Sequence, residues 1–147
     1  MSGTAQAGAT VEVFDGATSF GTATASITGA WSRIVTVPAD GAYLFTARAR
    51  NLAGSSPSSA LRVIQIDTRP PAAPVITGLI SPFTLVGTAE AGTTVELFEN
   101  GQSRGTVSAA NGTWSRAISA RGGSFTARTT DFAGNQSPFS SAYTPRP

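Results

Sequence analysis

No Cys, no Lys and no His occur among the 147 residues, and each absence closes off some chemistry. Without Cys there is no disulfide to support a small fold. Without Lys no Lys–Asn isopeptide crosslink can form. Without His or Cys the common nucleophile–base pairs and the nitrogen or sulfur metal sites are ruled out. Charge is thin as well: 12% of residues are charged, the net charge is +2, and all ten basic residues are Arg scattered along the chain. Nucleic-acid binding calls for a basic stripe interleaved with aromatics, which this pattern does not supply. No apolar run approaches membrane-spanning length, so membrane insertion is not expected. No signal peptide precedes the first recognisable block, so any export signal lies outside these residues or is not used.

What is present is a sequence written twice. Gly3 to Phe14 (GTAQAGATVEVF) returns as Gly87 to Phe98 (GTAEAGTTVELF), AWSR at Ala30–Arg33 as TWSR at Thr113–Arg116, and FTARARNLAG at Phe45–Gly54 as FTARTTDFAG at Phe125–Gly134. The offset falls from 84 at Gly3/Gly87 to 83 at Trp31/Trp114 and 80 at Gly54/Gly134, so deletions have fallen between the shared blocks, at turns. A unit of roughly 70 to 80 residues is too long for a solenoid turn and near the lower limit for an independent core.

Alternation with a period of two dominates each copy. Val11 and Val13 flank Glu12, Val95 and Leu97 flank Glu96, and Phe45, Ala47 and Ala49 alternate with Thr46, Arg48 and Arg50. Such spacing gives a strand one apolar and one polar face. Asp15-Gly16, Asp40-Gly41, Asn100-Gly101, Asn111-Gly112 and Gly122-Gly123 punctuate the strands as turn signals. The expected fold is all-β, as two tandem β-sandwiches of short strands. Between the copies runs Asp67-Thr-Arg-Pro-Pro-Ala-Ala-Pro74, whose prolines favour an extended, semi-rigid conformer. The expected division is residues 1–66, a linker at 67–74, and residues 75–147. Copy 2 has residues 74–86 ahead of its Gly-Thr-Ala block, enough for a strand at Val75–Leu79 and most of another at Phe83–Val86; copy 1 has only Met1 and Ser2 there. Either the chain is a fragment of a longer array, or the first domain is built without its opening strand.

These motifs resemble the bacterial Ig-like repeats of large secreted adhesins and biofilm-associated surface proteins. That family opens with Gly-Thr-Ala-Glu-x-Gly-x-x-Val, continues through a Gly-x-Trp-Ser strand, and closes with Asp-x-Ala-Gly-Asn before a Val-Asp-Thr-x-x-Pro linker. Gly87–Val95, Asn111–Ser115 and Asp131–Asn135 match in copy 2, while copy 1 matches at Gly3–Val11 and Trp31-Ser32 but replaces the closing Asp and Asn with Asn51 and Ser55. Ile66–Pro71 fits the linker. The resemblance implies a non-enzymatic spacer on the bacterial surface or in a secreted protein, with neighbouring repeats as its partners and a surface glycan or protein as a distal target. Its alternative is a glycan-binding or accessory module of a secreted carbohydrate-active enzyme. It also implies Asp67 and Asp131 as weak calcium candidates, since related adhesins hold Ca²⁺ at such positions; no other cofactor is implied.

Several residues carry two readings. Trp31 and Trp114 recur on the apolar phase, which reads as structural core; the alternative is a sugar-stacking platform. Arg33 and Arg116, two residues after each Trp, fall on the inward phase, where an unpaired guanidinium is too costly. They either snorkel at the sheet margin or follow a bulge that flips the phase. Asp131 and Asn51 read as loop caps bonding nearby amides, against calcium ligands that would have to supply about six to eight oxygens. A catalytic carboxylate pair remains open in principle, but Glu12 and Glu96 are one position in two copies, on outward strand faces. A glycan platform would have to come from Phe20, Phe132, Phe139 and Tyr143, which are few and scattered.

Overall fold

A computed structural model describes residues 1–81, 83–119 and 123–145, so Gly122 of the Gly122-Gly123 turn signal lies outside the described residues. The chain divides into two compact units, Met1–Asp67 and Thr68–Pro147. Both are built from strands alone among the described residues, and no helix is long and apolar enough to cross a membrane.

Unit 1 contains β1 (Ser2–Thr4), β2 (Thr10–Asp15), β3 (Thr18–Thr24), β4 (Ala30–Ser32), β5 (Gly41–Asn51), β6 (Gly54–Ser55) and β7 (Arg62–Ile66). Unit 2 contains β8 (Val75–Ser81), β9 (Thr84–Thr88), β10 (Thr93–Glu99), β11 (Gln102–Ala109), β12 (Thr113–Ala117) and β13 (Phe125–Thr130). Each unit is a two-layer sandwich. In unit 2 the sheet β8–β9–β12 faces the sheet β11–β10–β13, and Tyr143 extends the second sheet by a bridge to Phe125. In unit 1 β1–β4 faces β3–β2–β5, with β6 and β7 also pairing β5. The chain is thus all-β, two tandem Ig-like sandwiches.

The period-two pattern is what fixes the layers. Val11 and Val13 of β2 are buried while Glu12 between them is not, and Val95 and Leu97 of β10 repeat this around Glu96. In unit 2 these residues join Leu85, Trp114, Ile118, Phe125 and Ala127 in one core. Burying a Val, Leu or Phe side chain fully stabilises by about 1.5–3 kcal/mol, so these positions dominate each unit's stability. The unit 1 core is smaller, Val11, Val13, Ala25, Trp31 and Phe45, extended by an aromatic cluster in which Phe20 meets Tyr43 and Phe45 edge-on.

Turn chemistry follows the local residues. Asn100 and Gly101 both have positive φ (50° and 80°), as a two-residue type I′ hairpin turn requires. In copy 1 the turn sits one residue later than the Asp15-Gly16 signal suggests: Asp15 still pairs with Thr18, and Gly16 takes the positive φ of 56°. The carboxylate Oδ1 of Asp15 is engaged elsewhere, accepting the Leu44 N–H at 2.8 Å.

The Pro-rich segment packs with the second unit from Thr68 onward. Pro71 and Pro74 are buried, and Thr129 Oγ1 donates to the Ala72 carbonyl at 3.2 Å. Unit 2 therefore has β8 as a third strand beside β9, with Val75 opposite Thr88 and Leu79 opposite Leu85. The counterpart of β9 in unit 1, β1, pairs with β4 alone among the described residues.

Candidate functional site

Four structural devices recur in both units, and the sequence-predicted residues fall among them. The first is the tryptophan. Trp31 and Trp114 are 9% and 4% exposed, each on the middle of its strand and pointing between the sheets. Trp114 Nε1 donates to the Thr88 carbonyl at 3.2 Å, so the indole's one polar group is satisfied. Gly3 and Gly87 lie against these rings: a Cβ on Gly87 would fall 2.4 Å from Trp114 Cζ2, and one on Gly3 would fall 3.1 Å from Trp31 Cζ2.

The second device explains the inward-phase arginines. Arg116 turns along the sheet margin and donates from Nη1 to the Thr106 carbonyl at 2.9 Å and from Nη2 to the Arg104 carbonyl at 2.6 Å. Arg33 Nε reaches the Phe20 carbonyl at 3.4 Å. Those carbonyls are presented by the facing sheet, whose hairpins slip register between Glu96 and Phe98 and between Glu12 and Phe14. Gly105 and Gly21, at φ of 89° and 94°, sit beneath the guanidiniums, where a Cβ would approach Nη2 to 2.7 and 2.5 Å. The hairpin is held in turn by Ser103 Oγ donating to Glu96 Oε1 and Ser19 Oγ to Glu12 Oε1, both at 2.6 Å. The bulge is real, but it lies in the opposite sheet and feeds the Arg instead of flipping it. Sequence reading missed this clasp, although Ser-x-Gly recurs at Ser19/Gly21 and Ser103/Gly105.

The third device was also overlooked. Ser-Pro-x-Ser recurs at Ser56–Ser59 and Ser137–Ser140, alongside β5 and β13. Ala127 N–H donates to Ser140 Oγ and Thr129 N–H to Ser137 Oγ, both at 2.9 Å. Ala47 and Ala49 do the same to Ser59 and Ser56 at 2.9 and 3.0 Å. Each hydroxyl passes its own proton to the following residue's carbonyl, as Ser140 does to Ser141 at 2.9 Å. Proline supplies no N–H to a ladder, so serine side chains complete the pairing.

The fourth device is the closing loop. Asp131 Oδ1 accepts the Asn135 N–H and Oδ2 accepts Asn135 Nδ2, both at 2.9 Å. The Asn135 side-chain bond, opposed by burial and helped by the N–H groups of Asn135, Gly134 and Ala133, holds the Asp131 carboxyl below its ordinary 3.8. Asn51 Oδ1 accepts the Ala53 N–H at 2.8 Å in the same place, and its Nδ2 donates to Gln6 Oε1 at 2.7 Å. The residues after them, Leu52 and Phe132, are 109% and 105% exposed, one bare apolar side chain on each loop.

The two calcium candidates lie in different units. Asp67 is exposed just after β7, and Asp131 has both oxygens engaged within its loop. Calcium takes six to eight oxygen ligands, and a single carboxylate already accepting two N–H bonds is a poor start to such a shell. Among the described residues, no group of three or more His, Cys, Asp or Glu side chains is placed to share a metal. The four unplaced aromatics separate: Phe20 enters the unit 1 cluster, Tyr143 packs on the unit 2 core, Phe139 stacks edge-on with Phe98 beneath Arg128, and Phe132 stands free on its loop.

No family model matches the sequence, and a search of curated proteins returned no match. Solved structures do match. The fibronectin(III)-like modules of Clostridium thermocellum CbhA align with a TM-score of 0.55 at 17% identity, over 92% of this chain and 75% of theirs. Chicken CNTN1 domains FN1–FN3 align at 0.51 and 15%, over 95% of this chain and 54% of theirs. A biofilm-associated protein BSP domain aligns at 0.44 and 21% over 98% of this chain, which spans only 27% of its length. Identities this low speak to fold alone, and the fold that the CbhA and CNTN1 modules give is the Ig and fibronectin-III type of sandwich.

Proposed function

We propose that these residues are a non-enzymatic pair of structural spacer repeats from a larger secreted or cell-surface bacterial protein, of the kind that projects a distal binding region. One observation carries this reading. What the duplication keeps is scaffold: the Trp, the Arg clasp over its glycine, the Ser-Pro-x-Ser pairing and the loop cap. Exposed positions differ between the copies, as at Leu52/Phe132 and Thr18/Gln102. A binding module would invert that pattern, holding an exposed constellation fixed while its support drifts. Neighbouring repeats are then the partners, and bound calcium has no essential part. The test is replacement: in the parent protein, residues 1–147 are exchanged for two unrelated fibronectin type III modules. Retained surface display and target adhesion is the expected result. Loss of adhesion despite display, together with glycan-array binding by the isolated chain that Phe132→Ala abolishes, would overturn the spacer reading in favour of a glycan-binding accessory module.

A further inference from the structure

The outer face of β10 and β13 carries the same four side chains as that of β2 and β5. Glu96 stands opposite Arg128 and Phe98 opposite Thr126 in unit 2, as Glu12 stands opposite Arg48 and Phe14 opposite Thr46 in unit 1. The copies part at one neighbour, Ser58 in unit 1 and Phe139 in unit 2. Arg48 Nε donates to Ser58 Oγ at 2.8 Å. Phe139 offers no oxygen, and Arg128 Nε is buried without a partner among the described residues. A covered N–H with nothing to bond is rare in a folded protein. Phe139 instead stands edge-on to Phe98 with ring centroids 5.1 Å apart, and the guanidinium carbon of Arg128 lies 5.2 and 5.8 Å from the Phe139 and Phe98 centroids. Cation–π attraction offsets part of the lost hydrogen bond. The new ring adds little to packing, because Phe139 stays 51% exposed. Beside it, Arg128 Nη2 and Glu96 Oε2 are 3.5 Å apart, the outer limit of a hydrogen bond, while Glu96 Oε1 accepts the Ser103 hydroxyl at 2.6 Å.

We propose that this face of unit 2 is a shallow saccharide site, taking a neutral pyranose with equatorial hydroxyls. The axial C–H bonds of such a ring form a flat apolar face that fits against Phe139. Neighbouring hydroxyls each donate and accept, so one accepts from Arg128 Nη2 while the next donates to Glu96 Oε2, filling the loose gap between the pair. The two charges are equal and opposite, so a charged ligand gains no net attraction there. Unit 1 lacks the platform, since Ser58 stands in its place and satisfies Arg48. The inference stands apart from the spacer reading: a flank site on one copy is not the distal adhesive region, and it uses Phe139 where the glycan-binding alternative above uses Phe132.

The probe is cellohexaose, titrated into the isotopically labelled intact chain. Saturable shifts confined to Phe98, Thr126, Arg128, Phe139 and their immediate neighbours are the expected result. Phe139→Ser should weaken binding at least tenfold while unit 2 keeps its melting transition, because the serine supplies the acceptor that Ser58 supplies to Arg48. Ser58→Phe should give unit 1 matching shifts at Phe14 and Arg48. Equal binding by the Phe139→Ser chain, shifts centred on Phe132, or no saturable shifts at tens of millimolar sugar would overturn the proposal. So would equal or tighter Phe139-dependent binding of a capped, uncharged extended peptide of similar length, which would make a protein segment the occupant.

Discussion

Unit 1 and unit 2 share one set of fastenings, yet they finish their sandwiches differently. Trp, clasp, serine pairing and loop cap are superposable in kind, down to Oγ–carboxylate bonds of 2.6 Å in both hairpins. What differs is closure. Unit 2 buries Leu85 and Thr129 completely, whereas at the matching positions unit 1 has a half-buried Met1 and Ala49 beside an open cleft; Phe125 and its counterpart Phe45 are buried in both. A fold of this size can therefore keep its local geometry without a full layer, because bulges, caps and clasps are set by short-range bonds. Full closure adds apolar burial, and burial dominates stability. The comparison predicts that equivalent substitutions will cost more in unit 2 wherever the cleft substitutes water for packing.

The largest contrast is expected at the tryptophans. Trp114→Ala should cost about 3–5 kcal/mol and unfold unit 2, a large share of a small domain's stability. Trp31→Ala should fall near the bottom of that range, about 3 kcal/mol, because its ring already borders the cleft. Chemical denaturation followed by residue-resolved spectra separates the two units; a larger loss at Trp31 would break the comparison.

Serine removal sharpens it. Ser140→Ala leaves the buried Ala127 N–H without its acceptor and should cost about 1–3 kcal/mol. Ser59→Ala exposes the Ala47 N–H to water instead, and about 1 kcal/mol or less is expected. Equal losses would mean that the unit 1 pairing is as dry as that of unit 2. At the clasps the units should agree: Gly105→Ala and Gly21→Ala each force a Cβ into a left-handed backbone beneath a guanidinium, at about 1–2 kcal/mol. A clasp variant that is silent in one unit alone would show the carbonyl–Arg bonds there to be incidental.

Acid should act on the Asp131 loop. The Asp131 carboxyl titrates below its unfolded value of 3.8, so the stability it contributes is complete above that value and is lost as pH falls through the lower, folded one. Unit 2 should weaken below about pH 4 in a way that Asp131→Asn removes, while Asn51 gives unit 1 no matching response. Melting curves of both chains between pH 2 and 7, as a range of about five units, would reveal it. The smallest effect is expected from calcium. With ligand at about 1 mM and a similar dissociation constant, stabilisation would be only ~0.4 kcal/mol, so EDTA should leave both transitions almost unmoved. A rise of several degrees with Ca²⁺, abolished by Asp67→Ala or Asp131→Ala, would contradict this.

Strand content was legible in the sequence because alternation is a local signal: Val11/Val13 and Val95/Leu97 announce their buried face without reference to the rest of the fold. The tryptophans were legible for the same reason. The Arg clasp was not, because the acceptors of Arg116 lie on a strand ten and twelve residues away, in the facing sheet. Only the recurrence of Ser-x-Gly hinted at the bulge that aims them. The serine pairing was not legible because Pro57 and Pro138 supply no N–H to a ladder, and only the folded chain brings the Ser137 and Ser140 hydroxyls to the β13 amides. The placement of Thr68–Pro74 with unit 2 depends on the long-range bond from Thr129 to Ala72, which composition cannot announce.

Amide hydrogen exchange on the intact chain tests the central claim most directly, by comparing Ser2 and Thr4 with Val86 and Thr88. These are the same positions on two copies of one strand, covered by a neighbour in unit 2 and, among the described residues, without one in unit 1. Ser2 and Thr4 should exchange at close to the rate of exposed amides, while Val86 and Thr88 should exchange only when unit 2 opens. Equal, strong protection at all four amides would contradict it, by showing that the edge of unit 1 is already closed.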